Sequence, residues 1–239
     1  MIFKRIGMYL KFLRSLFHLN IGVLFGMWKL TKLPQPIITI FGGSRLPIDS
    51  HYAKIIYKIS QKLAAEGYSI LTGGGPGIMA AANLGATEYA NGNGNHHKKT
   101  ISMGIGVVRL ESYNKYAQDF ISQPYFFTRK WLLVRNSVGF IVGPGGFGTM
   151  DELSEVLTLL QTHHMQKTPV VIIGKEYWEP MIDWVKNKAL KNDLITLKDV
   201  DLISITDDPD EAVQIIKNFC LTSEATPGYC ALPNKNVMK

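Results

Sequence analysis

Cysteine is scarce in this chain: two of 239 residues, Cys220 and Cys230, both near the C-terminus. Neither stands in a metal or redox spacing, so the sequence predicts no disulfide framework and fits a reducing, cytoplasmic setting. Acidic residues are missing from positions 1–33, which carry Lys4, Arg5, Lys11, Arg14, Lys29 and Lys32. Those six account for nearly all of the formal net charge of +7, leaving 20 Lys and Arg against 19 Asp and Glu elsewhere. A near-neutral remainder without a recognised nucleic-acid motif predicts no nucleic-acid partner. No internal repeat is present. The basic N-terminal segment also lacks a run able to cross a bilayer: its longest stretch without Lys or Arg is 15–28, short of the roughly 20 residues required. No small-residue cleavage site follows it, as a secretory signal would need. Metal-ligand spacings are absent too. His96 and His97 sit in a polar stretch, 91–99, with no further ligand near, and read as a solvated loop. His163 and His164 fall near a predicted helix C-terminus, where they complement the helix dipole.

What the chain does have is alternation. With 46% hydrophobic residues it can bury a substantial core. Apolar, β-branched runs at 36–41, 68–71, 100–108, 138–142, 169–174 and 202–206 predict strands. Helical patterns fall between them at about 51–66, in the alanine-rich run after Met79, at 126–137, from Leu153 onward, at 178–189 and at 209–219. Strand-helix alternation of this kind predicts an α/β fold: a doubly wound parallel sheet in three αβα layers. The expected organisation is a basic apolar helical extension over 1–33, a single α/β domain over 34–220, and a mobile tail over 221–239, where the composition turns to Ser, Thr, Pro, Gly and Asn.

Three of the predicted strands end in glycine-rich turns that enter helices: Gly42-Gly43-Ser44-Arg45, Thr72-Gly73-Gly74-Gly75-Pro76-Gly77, and Pro144-Gly145-Gly146-Phe147-Gly148-Thr149. In a parallel sheet these lie on one edge, the carboxyl edge where ligands bind. Unpaired amides and the positive end of a helix dipole there suit an anion such as phosphate. Glu152 follows Thr149 by three residues, on the same helix face and about one turn deeper. A Pro-Gly-Gly turn alone can be punctuation, and an early Glu can simply complement the dipole; three such turns on one edge favour a site.

The ordered set FGGSR, TGGGPGIM, YFFTRK and PGGFGTMDE resembles the LONELY GUY family of phosphoribohydrolases, whose members often carry a lysine decarboxylase label. The resemblance spans roughly residues 36–219. It implies a Rossmann-like fold, a nucleotide substrate and hydrolysis of the N-glycosidic bond of nucleoside 5′-monophosphates, AMP or cytokinin riboside monophosphates, to free base and ribose 5-phosphate. By position it implies Arg129 and Glu152 as the catalytic pair. Gly145, Gly146, Gly148 and Thr149 match the phosphate grip, with Ser44, Gly74 and Gly75 lining the rest of the pocket. It implies a homodimer with the active site near the subunit interface, with a higher homo-oligomer left open; no cofactor is expected, the chemistry requires no metal, and no ligand cluster argues for one.

The chemistry fits those residue types. Cleaving a glycosidic bond builds positive charge on the sugar carbon, so a carboxylate such as Glu152 can stabilise that charge, hold the ribose hydroxyls or orient the attacking water. The base departs with negative charge, which the rigid guanidinium of Arg129 can meet. By helical pattern alone Arg129 reads as a surface arginine; the motif reverses that. Lys130 either adds charge near the phosphate or is solvated, and Arg135 reads as a surface or subunit-contact residue. The alternative functions are a non-catalytic nucleotide sensor or carrier of the same fold and a pyridoxal-dependent decarboxylase, for which no lysine motif is found. For residues 1–33 two readings stand: peripheral contact with an anionic membrane surface, or a helical hairpin packed on the domain or on a partner subunit.

Overall fold

The structure is a computed structural model that describes residues 2–92, 100–108 and 113–221. In chain order its elements are α1 (Ile2–Leu30), β1 (Ile37–Phe41), α2 (His51–Glu66), β2 (Ser69–Thr72), α3 (Ile78–Gly92), β3 (Ser102–Val107), β4 (Asp119–Gln123), α4 (Phe126–Arg135), β5 (Gly139–Val142), α5 (Phe147–Gln161), β6 (Val170–Ile172), α6 (Lys175–Trp184), α7 (Leu197–Val200), β7 (Ile203–Ile205) and α8 (Pro209–Leu221). A π turn and a 3₁₀ turn continue α6 through Asn192.

The seven strands form one sheet in the order β4-β3-β2-β1-β5-β6-β7, with every pairing parallel. The chain builds outward from β1 to β4, then returns to lay β5 on the other side of β1. Strand order therefore reverses between β1 and β5, paired in register from Ile38↔Gly139 to Phe41↔Val142. That reversal opens a crevice beyond the carboxyl ends of the two strands.

Helices cover both faces, so the central strands are apolar throughout. All five residues of β1 are buried, and alternate residues face opposite layers. Ile38, Ile40, Ile141 and Val171 join the core beneath α2, α3 and α8. Ile37, Phe41, Phe140, Val142, Val170 and Ile172 join the core beneath α1, α4 and α5. Helix α2 presents Ala53, Ile56, Ile59 and Leu63 inward at helical spacing. It ends on Gly67, whose left-handed φ of 99° lets its N–H close on Ala64 O at 3.0 Å.

Two sequence expectations change here. The N-terminal segment is one continuous helix of 29 residues, not a hairpin. Its second half rests on the β4 edge and on α4: an ideal Cβ at Gly26 would lie 2.9 Å from Gln123 Nε2 and 2.5 Å from Leu132 Cδ1, so a larger residue would displace those side chains. Gln123 Nε2 donates to Gly22 O at 3.0 Å, and Lys29 Nζ pairs with Asp119 Oδ1 at 2.5 Å. Cys220, in the last turn of α8, is disulfide-bonded, which corrects the expectation of unpaired thiols at that position. The polar loop with His96 and His97 and the tail from residue 222 lie outside the described residues.

Candidate active site

The three glycine-rich turns meet at the crevice. Gly43 N donates to Pro144 O at 2.8 Å, joining the β1 and β5 turns, and Ile78 N donates to Gly43 O at 3.1 Å, bringing in the β2 turn. The contact is backbone against backbone. An ideal Cβ at Gly43 would lie 3.2 Å from Gly145 Cα, and one at Gly77, whose φ is +70°, would lie 2.4 Å from Gly43 O. Around this junction lies a cavity of about 390 Å³, within the range of small-molecule sites.

One wall is the start of α5. Gly146 is its N-cap, with extended backbone and no side-chain cap. Met150 is the first residue to close back, its N–H reaching Gly146 O at 3.0 Å. The amides of Phe147, Gly148 and Thr149 precede that bond and have no partner within the helix. All three residues line the cavity, where those amides and the dipole behind them favour an anion. Nothing lies within 4 Å of an ideal Cβ at Gly146 or Gly148, so both look onto open space. Gly145 instead sits beneath the turn: its Cβ would strike Thr149 Oγ1 at 2.1 Å, and its carbonyl accepts a hydrogen bond from Tyr177 Oη at 2.6 Å.

Across the cavity stand Arg129, one turn into α4, and Glu152, in the second turn of α5. Arg129 Nη1 lies 3.3 Å from Glu152 Oε1, and the two side chains are 13% and 10% exposed. Arg129 Nε donates to Ile105 O at 2.9 Å, at the end of β3. The remaining edge of the guanidinium lies against Gly73, where an ideal Cβ would come within 2.0 Å of Arg129 Nη2. A carbonyl, a carboxylate and a bare backbone thus fix the guanidinium plane. A largely buried ion pair loses much hydration and is weak evidence of a stabilising role; this one is set in the wall of a ligand-sized cavity.

The β2 turn is held from behind by a buried polar network. Thr72 Oγ1 accepts from Gly74 N at 3.0 Å and donates to Asn83 Oδ1 at 2.8 Å, while Asn83 Nδ2 donates to Ser102 Oγ at 2.7 Å. Asn114 Nδ2 reaches Gly75 O at 2.9 Å, and Asn114 N reaches Gly74 O at 2.9 Å. Thr72, Asn83 and Ser102 are buried, so this satisfied network makes the turn a rigid surface.

Of the residues singled out in the sequence, Ser44, Gly75, Arg129, Gly146, Gly148, Thr149 and Glu152 line the cavity. The other three have different surroundings. Gly74, with φ +74°, packs its Cα side against Phe120, and Gly145 lies under the turn as described. Lys130 pairs with Asp151 and Glu155, each at 3.0 Å. Burial pulls the Lys130 pKa down, but hydrogen bonds to those two carboxylates outweigh it, and the net shift is upward. The cavity also takes in Arg45, an exposed cation, and the apolar Met79, Val107, Tyr113, Phe126 and Phe147. Arg45 and Met79 lie inside motifs already noted. Val107 ends a strand the apolar pattern predicted, whereas Tyr113, between β3 and β4, carried no signal.

The family model described as "Possible lysine decarboxylase" matches residues 79–216. A bifunctional cytokinin biosynthesis protein of Fusarium pseudograminearum is 24% identical over 77% of this chain and 40% of its own length. The probable cytokinin riboside 5′-monophosphate phosphoribohydrolase LOGL5 of Oryza sativa subsp. japonica is 26% identical over 66% of this chain and 62% of its own length. The match thus spans less than two thirds of either relative. Among solved structures, the molybdenum cofactor binding protein of the phototrophic bacterium Rippkaea orientalis superposes with a TM-score of 0.56 at 21% identity, over 77% of this chain and 97% of that one; this likeness concerns the fold. The family match covers more than half of the chain, and the protein belongs to the LONELY GUY family, whose model bears the lysine decarboxylase description.

Proposed function

We propose that the cavity hydrolyses the N-glycosidic bond of purine nucleoside 5′-monophosphates, AMP or cytokinin riboside monophosphates, releasing free base and ribose 5-phosphate. The observation that carries this reading is the buried Arg129–Glu152 pair facing the open amides of α5 within one cavity. Phosphate on the amides of Phe147, Gly148 and Thr149 fixes one end of the nucleotide. The sugar carbon then comes beside Glu152, which stabilises its positive charge or directs water to it. The base falls toward Arg129 and the apolar lining of Met79, Val107, Tyr113 and Phe126, surfaces suited to an aromatic ring. Names of the curated relatives support the same substrate class. No lysine lines the cavity among the described residues, so a pyridoxal-dependent decarboxylase finds no Schiff-base residue there.

The direct test is incubation of the protein with a panel of nucleoside monophosphates, nucleosides and free bases, followed by chromatography. Monophosphates are cleaved and nucleosides are not, because the phosphate grip places the sugar. Nucleotide binding without cleavage of any member would replace the enzyme with a carrier of the same fold.

The grip has its own prediction. At Gly146 the φ of −91° suits any residue and the Cβ direction is open, so Gly146→Val folds normally and fills the anion's place. Loss of one charge-assisted hydrogen bond weakens nucleotide affinity by about 10- to 100-fold, measured by calorimetry with the melting curve unchanged. Unaltered affinity would place the phosphate elsewhere.

A further inference from the structure

Residues 5–14 of α1 are exposed on every side. Ile6, Met8, Tyr9, Leu10, Phe12 and Leu13 each show between 49% and 65% of their surface to solvent, and Phe17 and Leu24 extend the series at 64% and 68%. Short helices are marginal in water by themselves, and so much contiguous apolar surface marks an interaction site. The second half of the helix is clamped to β4 through Gly22, Gly26 and Lys29. The first half therefore projects from a fixed base, over about 20 Å at 1.5 Å per residue.

Charge identifies the partner. Lys11, Arg14 and His18 follow at three- and four-residue steps along one stripe, while Tyr9, Leu13 and Leu16 occupy the opposite side. All six ionised groups of residues 1–33 are positive, against a balanced remainder. Self-pairing of this helix would gather cations with no acid to offset them. An anionic lipid surface accepts both features, burying the apolar face among acyl chains and placing Lys and Arg among headgroups. Next to the helix, Tyr125 hydrogen-bonds Ser15 and stacks on Phe127 at 5.7 Å, and Phe127 and Trp131 are 56% and 43% exposed. No helix among the described residues is long and apolar enough to cross a membrane. We propose that the first half of α1 lies in the headgroup boundary of a membrane containing anionic phospholipid and holds the catalytic domain against it.

The test is flotation of the full-length protein with vesicles of phosphatidylcholine alone or mixed with phosphatidylglycerol, at low and high salt. The protein rises with the anionic vesicles, stays down with the neutral ones, and partitions less as salt screens the contact. Each basic residue near an anionic surface contributes about fivefold to partitioning, so the double variant Lys11→Glu/Arg14→Glu binds at least about 25-fold less. Both positions are exposed, so its melting curve matches the parent's. The proposal is overturned if the intact protein stays down with anionic vesicles at low salt, or if partitioning ignores lipid charge and the double variant. It is equally overturned if light scattering shows a dimer that Leu13→Glu dissociates while vesicles remain unbound, which assigns the apolar face to a second copy.

Discussion

Replacing Glu152 by Gln is expected to abolish most turnover while leaving nucleotide binding nearly intact. Glutamine keeps the shape of the side chain and removes its charge, and the charge is what a positively charged sugar carbon or an attacking water requires. The proposed phosphate grip uses amides at the start of α5 with Gly146 and Gly148, none of which depends on the carboxylate. Release of ribose 5-phosphate should fall by about 10²- to 10⁴-fold, with nucleotide dissociation constants within a few-fold of the parent. The variant leaves the Arg129 guanidinium without its anionic partner, so a melting curve must accompany the kinetics. Arg129 keeps its bond to Ile105 O and its place against Gly73, and the cavity gives it access to water. Parent-like release of ribose 5-phosphate from this variant would remove Glu152 from the chemistry.

The pattern of the sequence made most of this fold visible, and the exceptions have physical causes. Strands β1, β2, β3, β5, β6 and β7 stand where apolar β-branched runs predicted them, because a parallel sheet covered on both faces demands continuous apolar residues. Strand β4 escaped notice: only Ile121 and Gln123 of its five residues are buried, and a buried glutamine is not an apolar signal. Gln123 is tolerated there because its amide bonds Gly22 O of α1, a partner about a hundred residues away. Gly22 and Gly26 of α1 serve as points of close approach to Pro124, Gln123 and Leu132, contacts that no local pattern in the first 33 residues announces.

The site divides in a similar way. Gly146 and Gly148, which line the cavity with bare backbone, were legible in the turn itself. That Arg129 faces Glu152 came from the family resemblance, because the pair is assembled from two helices separated by β5. The supports were invisible. Tyr177 braces the carbonyl of Gly145, and Asn83 and Asn114 anchor the β2 turn, yet each reads locally as an ordinary polar residue. Lys130 differs from its motif neighbours: its side chain is engaged by Asp151 and Glu155 and lies outside the cavity lining.

Arg129→Lys poses the sharper question, because it retains positive charge. The guanidinium meets Ile105 O through Nε and Glu152 through Nη1 at the same time. A lysine ammonium is a single point on a flexible stem and cannot reproduce that fork. Turnover should fall by about 10²- to 10³-fold, the cost of removing one preorganised donor, with affinity for ribose 5-phosphate unchanged. Two roles for the arginine would produce that loss: it stabilises the departing base, or it only holds Glu152 in place. They separate when the leaving group changes. A purine nucleotide methylated at N7 carries positive charge on its base, which departs neutral and needs no cation beside it. If Arg129 acts on the base, the lysine variant regains most of its activity on the methylated substrate, while Glu152→Gln stays defective on both because sugar charge develops in either case. Equal losses on both substrates would make Arg129 a positioning residue for Glu152, and the proposed electrostatic contact with the base would be withdrawn.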